Sequence, residues 1–145
     1  MKVLLQVVNH ANVIIDNKVY NEIKNGYLLF VGIGKDDNED IVKEMASKVA
    51  KLRVFPDSNG KTNLDIYSIK GEVLSISQFT LYANTKGSNR PDFLNAANRE
   101  QALYLYNLFN DELESKNLVV KEGIFGADMK INLENNGPFT IILEL

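Results

Sequence analysis

Three stretches of this sequence gather residue types able to bind or activate a ligand. The first is Ser77-Gln78-Phe79-Thr80-Leu81-Tyr82, with two hydroxyls, an amide and two aromatics in one short run. It follows an apolar strand, and polar groups at the C-terminal end of a strand commonly meet ligands in α/β proteins. The plainer alternative is a strand that continues with its polar residues outward. The second stretch is Lys86-Gly87-Ser88-Asn89-Arg90-Pro91, whose glycine and proline predict a loop. Lys86 and Arg90 there either meet phosphates or are simply solvated. The third is Gly137-Pro138. It either separates two strands, since proline is normal at a strand's first position, or forms a cis peptide, which costs only about 0.5–1 kcal/mol before proline. A cis Gly-Pro unit presents backbone oxygens in a fixed direction without using a side chain.

Other chemistry is excluded by what is missing. There is no cysteine, so thiolate nucleophiles, disulfides and cysteine-ligated zinc fall away together. The one histidine, His10, sits in Asn9-His10-Ala11-Asn12, which reads as a surface turn. A Ser-His-Asp or Cys-His centre is therefore disfavoured. No pair of carboxylates has spacing that argues for a two-carboxylate or metal site, so neither metal nor cofactor is expected. Gly32 and Gly34 follow a strand as in a dinucleotide-binding turn, but the third glycine is absent and a plain turn is the expectation.

The chain has 145 residues, 45% hydrophobic and 24% charged, the balance of a soluble globular domain. One domain spanning 1–145 is expected, large enough to hold a core without staples. The formal net charge is -3, so any contact with a polyanion rests on a small local set of cations. No run approaches the 18 apolar residues of a membrane span. Met1 to Val8 looks superficially like a leader, but Gln6 interrupts it and no cleavage site follows. It reads as a buried first strand of a cytoplasmic protein.

The elements that must position these residues follow from periodicity. Val3 to Val8 and Val13 to Ile15 are strand-like, with Asn9 to Asn12 as the turn between them. Tyr27 to Val31 follows the Asn25-Gly26 turn signal and is apolar throughout, as in a strand covered on both faces. From Glu39 to Arg53, apolar Val42, Met45, Ala46, Val49 and Leu52 fall on one helical face, with Asn38 or Asp37 as cap. Pro56 to Gly60 closes that unit. Glu72 to Ser77 is a strand. A second helix runs from about Arg99 to Lys116, buried along Ala102, Leu105, Tyr106, Phe109 and Leu113, with Asn98 and Gln101 resembling a capping pair. Leu118–Lys121, Met129–Glu134 and Phe139–Leu145 are the final strands, the last two joined by a turn at Asn135 to Pro138. This order predicts a mixed α/β domain.

Taken together, these residues resemble the bacterial and eukaryotic D-aminoacyl-tRNA deacylases. The resemblance spans Met1 to Leu145. It is carried by Ser77-Gln78-Phe79-Thr80-Leu81-Tyr82, Phe125-Gly126-Ala127-Asp128-Met129 and Asn136-Gly137-Pro138-Phe139-Thr140, and Gly26, Asn63-Leu64 and Asn89-Arg90-Pro91 also fit. The family implies a layered, barrel-like β-sheet domain with two main helices. It also implies a homodimer with active sites at the subunit interface. By that match Ser77, Gln78, Phe79 and Thr80 line their own pocket, and Phe125 and Met129 hold the terminal adenosine. Gly137 and Pro138, joined by a cis bond, would enter the partner's pocket and reject L-amino acids.

The implied reaction is hydrolysis of the ester between a D-amino acid and the acceptor end of tRNA, with glycyl-tRNA also admitted. D and L substrates carry identical groups, so only a wall on one side of the substrate Cα separates them. The ester is already activated, and the ribose 2′-hydroxyl can help water attack. Orientation and backbone N–H donors near Phe79 and Thr80 then suffice. Thr80 as a covalent nucleophile is the runner-up and lacks an evident base. Lys86, Arg90 and Arg99 are the cations available for tRNA. Val7 stands where many members carry an arginine that braces the Gly-Pro peptide, Asn84 where aspartate is frequent, and Ser88 where a basic or polar residue is seen. Val7 keeps open a second reading, a non-catalytic dimeric RNA-binding protein on the same fold.

Overall fold

The computed structural model describes residues 1–145. Its longest elements are two strands that lie along each other. Strand β1 (Lys2–Ile15) pairs on one side with β8 (Lys130–Glu144), antiparallel. On its other side the first half of β1 pairs with β3 (Gly26–Gly32) and the second half with β2 (Lys18–Ile23). Beyond β3 come β6 (Glu72–Ser77) and β7 (Val119–Glu122), both in parallel register. A short hairpin of β4 (Phe55–Pro56) and β5 (Thr62–Leu64) stands apart.

The sheet nearly closes into a barrel. Its outer strands β2 and β7 are joined by side chains rather than by a ladder: Asn21 Nδ2 donates to the Glu122 carbonyl and Lys121 Nζ to the Glu22 carbonyl, each at 2.7 Å. Helices α1 (Glu39–Lys51) and α2 (Arg99–Ser115) supply the crossovers that parallel strands require. Their apolar stripes, Val42-Met45-Val49 and Leu105-Phe109-Leu113, meet Val3, Leu5 and Val7 of β1 in the main core. Asn38 and Asn98 cap the two helices by accepting from the N–H groups of Ile41 and Gln101. The Gln101 side chain does not close a reciprocal capping box. It donates instead to the carbonyls of Lys35 and Asp37, holding the loop before α1.

Three sequence expectations are corrected. Asn9 to Asn12 is no turn, because β1 runs through it. Between Val8 and His10, β1 advances two residues while β8 advances one, from Asn135 to Glu134. The extra residue is a β-bulge, and it shifts the phase of the strand. Before it, Val3, Leu5 and Val7 face the main core and Val8 the opposite side by ordinary alternation; past it, Ala11 and Val13 join Val8 in a second cluster with Leu74 and Ile76. His10 is exposed, with Nδ1 at 3.8 Å from Glu134. Likewise the two final strands are one element, β8, with an excursion inside it at Asn136 to Phe139. Finally, Ser77 to Tyr82 does not continue as a strand: β6 ends at Ser77, and Phe79–Tyr82 is a 3-10 helix.

Gly26 shows why one residue type is required at the start of β3. A Cβ there would lie 1.9 Å from the Glu72 carbonyl oxygen, the residue it pairs with in β6. The close approach of the two strands admits only glycine.

Candidate active site

The end of β6 opens onto a cavity of about 590 Å³, within the range of small-molecule sites. Ser77, Gln78 and Phe79 line it together with Phe125 and Met129. Arg99, Ala102 and Tyr106 of α2 close the side, and Val31 and Ile33 the β3 edge. The lining is mostly apolar, and its charged members are Arg99 and Asp128. Such a space suits a flat, weakly polar group with a charge at its margin.

The geometry of Ser77 to Phe79 follows from backbone bonding. The Gln78 N–H donates to Val31 O at 2.7 Å, which carries the sheet one residue past β6. The chain then turns into the 3-10 helix. There the N–H groups of Phe79 and Thr80 find no backbone or side-chain acceptor, as expected of the first donors of a helical turn. Two adjacent free N–H groups thus stand beside the cavity. The Thr80 hydroxyl accepts from Gln78 Nε2, and Thr80 itself is exposed. Phe79 is also exposed, and its ring packs edge-on against Phe93 at 4.9 Å.

Helix α2 is tied to β6 beside the cavity. Tyr106 donates its hydroxyl to Ser75 O at 2.9 Å, and Gly123 N–H donates to the same oxygen at 3.1 Å. Burial pushes the Tyr106 hydroxyl up to about 12, so it remains a donor. Beside it, burial raises the Glu122 carboxyl above its ordinary value. The Arg99 guanidinium lies 5.8 Å from the centre of the Phe125 ring and takes part in no ion pair.

Of the residues singled out from the sequence, Ser77, Gln78, Phe79, Arg99, Phe125 and Met129 line this one cavity, and Thr80 adjoins it. Lys86 and Arg90 do not. They lie at the exposed tip of an excursion closed by the bridge between Asn84 and Asp92. Gly137 and Pro138 are also outside it, exposed on the β8 excursion, and their peptide bond is cis. Tyr106 and Asp128 were not singled out for the site. Tyr106 reads as one more core position of α2, and only the packing of the helix against β6 turns it to the cavity. No three His, Asp or Glu side chains come together as a metal site.

Comparison with known proteins gives the same reading over the whole chain. Residues 4–144 match the family described as D-Tyr-tRNA(Tyr) deacylase. The chain is 53% identical over 145 residues to the D-aminoacyl-tRNA deacylase of Lactobacillus gasseri, covering 100% of both. It is 49% identical to that of Staphylococcus aureus, covering 99% of this chain and 95% of the relative. Among solved structures it resembles the c-Myc DNA unwinding element binding protein with a TM-score of 0.94 and 36% identity, covering 100% of this chain and 99% of that one. A probable eukaryotic D-amino acid tRNA deacylase shares the fold with a TM-score of 0.87 at 14% identity, over 99% and 98% of the two chains. The chain belongs to the D-Tyr-tRNA(Tyr) deacylase family, and with it to the hydrolases that act on aminoacyl-tRNA.

Proposed function

We propose that this chain hydrolyses the ester linking a D-amino acid to the 3′ end of tRNA, and that it does so in the cytoplasm. The observation that carries the reading is the convergence of Ser77, Gln78 and Phe79 with Phe125 and Met129 on one cavity, in a chain of this family. The terminal adenosine occupies the apolar space between Phe125 and Met129. Water attacks the ester carbonyl, the C–O3′ bond breaks, and the proton passes to O3′. The charge that develops on the carbonyl oxygen is met by the free N–H groups of Phe79 and Thr80. The ribose 2′-hydroxyl orients the water, a task for which the cavity offers no histidine.

Selection by handedness is assigned to the main-chain oxygens of Gly137 and Pro138, delivered by a second copy of the chain. Two features support this. The Gly137-Pro138 crest is exposed and does not line its own cavity. Strand β8 pairs only with β1, so its other edge is open for pairing with a twin. An L side chain meets the crest and a D side chain points away from it. Glycine, with no side chain to reject, passes. Arg99 meets the last phosphate, and Lys86 and Arg90 the preceding backbone.

Release of free D-tyrosine from D-tyrosyl-tRNA by the purified protein tests the activity. Turnover supports the reading, and tRNA binding without turnover supports a non-catalytic RNA-binding protein instead. Two controls address the mechanism. Thr80→Val retains activity to within about tenfold, the cost of one hydrogen bond, whereas a terminal 2′-deoxyadenosine abolishes it. The reverse pattern would return the lead to Thr80 as nucleophile.

A further inference from the structure

The β8 excursion that carries Gly137 and Pro138 is held by a set of neutral side chains. Across its base, the paired residues of β1 are Gln6 and Val8, two steps apart, while their β8 partners are Thr140 and Asn135, five steps apart. Four residues, Asn136 to Phe139, therefore stand where β1 has one. The β1 residue opposite them is Val7, which is 3% exposed and packed into the main core. It offers the excursion no polar contact.

Asn135 supplies what Val7 cannot. Its Oδ1 accepts from the Phe139 N–H at 2.9 Å, and its Nδ2 donates to Thr140 Oγ1 at 2.7 Å. An N–H can only donate, so the first bond fixes which end of the amide is oxygen. Gln6 Nε2 donates to the same Thr140 oxygen at 3.2 Å. A hydroxyl oxygen has room for two donors. One amide thus spans both feet of the excursion, and a second ties the far foot back to β1. A loop closed on itself in this way has fewer poses than one held by its ends alone.

We propose that Asn135, acting with Thr140 and Gln6, is the positioning element that sets the Gly137-Pro138 crest for rejection of L substrates. The inference rests on the reading above that the crest is the handedness gate. None of the three touches the reacting atoms. Their loss therefore alters selectivity and leaves turnover of the D substrate in place, a pattern that a general loss of structure does not produce.

The test compares initial rates on L- and D-tyrosyl-tRNA for the wild type, Asn135→Ala, Thr140→Val and Thr140→Ser. Each of the first two variants raises the L-to-D ratio about tenfold, the effect of one hydrogen bond. Their kcat and KM on D-tyrosyl-tRNA stay within about twofold of wild type. Thr140→Ser keeps the hydroxyl and the wild-type ratio. Should Asn135→Ala fail to fold, Thr140→Val carries the test alone. A selective wild type with equally selective variants overturns the clamp and leaves the gate standing. A wild type that hydrolyses both substrates equally overturns the gate, and the clamp with it.

Discussion

Tyr106 of α2 reaches across the core to place its hydroxyl 2.9 Å from the carbonyl oxygen of Ser75, two residues before the strand end that carries Ser77 and Gln78. The bond joins the helix on one side of the cavity to the strand on the other. Tyr106→Phe removes the donor but leaves Ser75 O bonded to the Gly123 N–H. The expected loss is about 1 kcal/mol, read as a lower midpoint in urea unfolding with an unchanged slope.

Gly26 is the position least able to accept a side chain. The 1.9 Å approach of a Cβ to the Glu72 carbonyl is a clash with backbone, and no rotamer change relieves it. Gly26→Ala is expected to cost more than about 4 kcal/mol, since β3 and β6 must separate to admit it. Soluble yield and urea unfolding read this directly.

Arg99 and the pair Lys86 and Arg90 should separate by their distance from the cavity. Arg99 lines it and the other two do not. Arg99→Ala raises KM for D-tyrosyl-tRNA with kcat little changed, and reduces the slope of log affinity against log salt by about 0.7, one single-strand phosphate contact. Lys86→Ala and Arg90→Ala produce smaller KM changes. Equal effects at all three positions would contradict the assignment of Arg99 to the last phosphate.

Glu122 makes stability depend on pH in a stated direction. Burial is the main cause of its raised pKa, reinforced by Glu114 and Asp111 and opposed by the Asn110 side chain. The folded value lies above the unfolded one, so the favourable contribution is complete below the ordinary value of 4.5 and is lost as pH rises through the folded value. Glu122→Gln cannot ionise. Its stability relative to wild type should therefore rise between about pH 4 and about pH 7, by a modest amount because the carboxyl is partly open to water. Parallel urea unfolding at the two pH values checks the sign.

Much of the frame was legible because single periods govern it. The helical stripe from Val42 to Val49 and the Asn38 and Asn98 caps depend on local spacing, and both helices end within two residues of expectation. Strand β6 is matched at both ends, Glu72 and Ser77. The failures share one cause. Asn9-His10 and Asn135 to Pro138 have the composition of turns, but each is an irregularity inside a strand, in the ladder between β1 and β8. Composition reports that the pattern breaks, not whether the chain reverses there. Strand β2 was missed because Lys18 to Tyr20 are exposed and give no alternation. At the site, Ser77 to Thr80 announced themselves by residue type. Phe125 and Met129 came only from family likeness, since two apolar residues in a loop carry no local signal. Arg99 was legible as a cation available for tRNA and as the first residue of a helix, but only tertiary packing sets it over Phe125.

The handedness of the reaction is the claim on which the rest depends, and one comparison reaches it. Initial rates on D-tyrosyl-tRNA and L-tyrosyl-tRNA are measured with the same enzyme preparation at the same substrate concentration, with glycyl-tRNA alongside. The account predicts rapid release of D-tyrosine, an intact L-tyrosyl ester and measurable release of glycine. Equal rates on the D and L esters would contradict it.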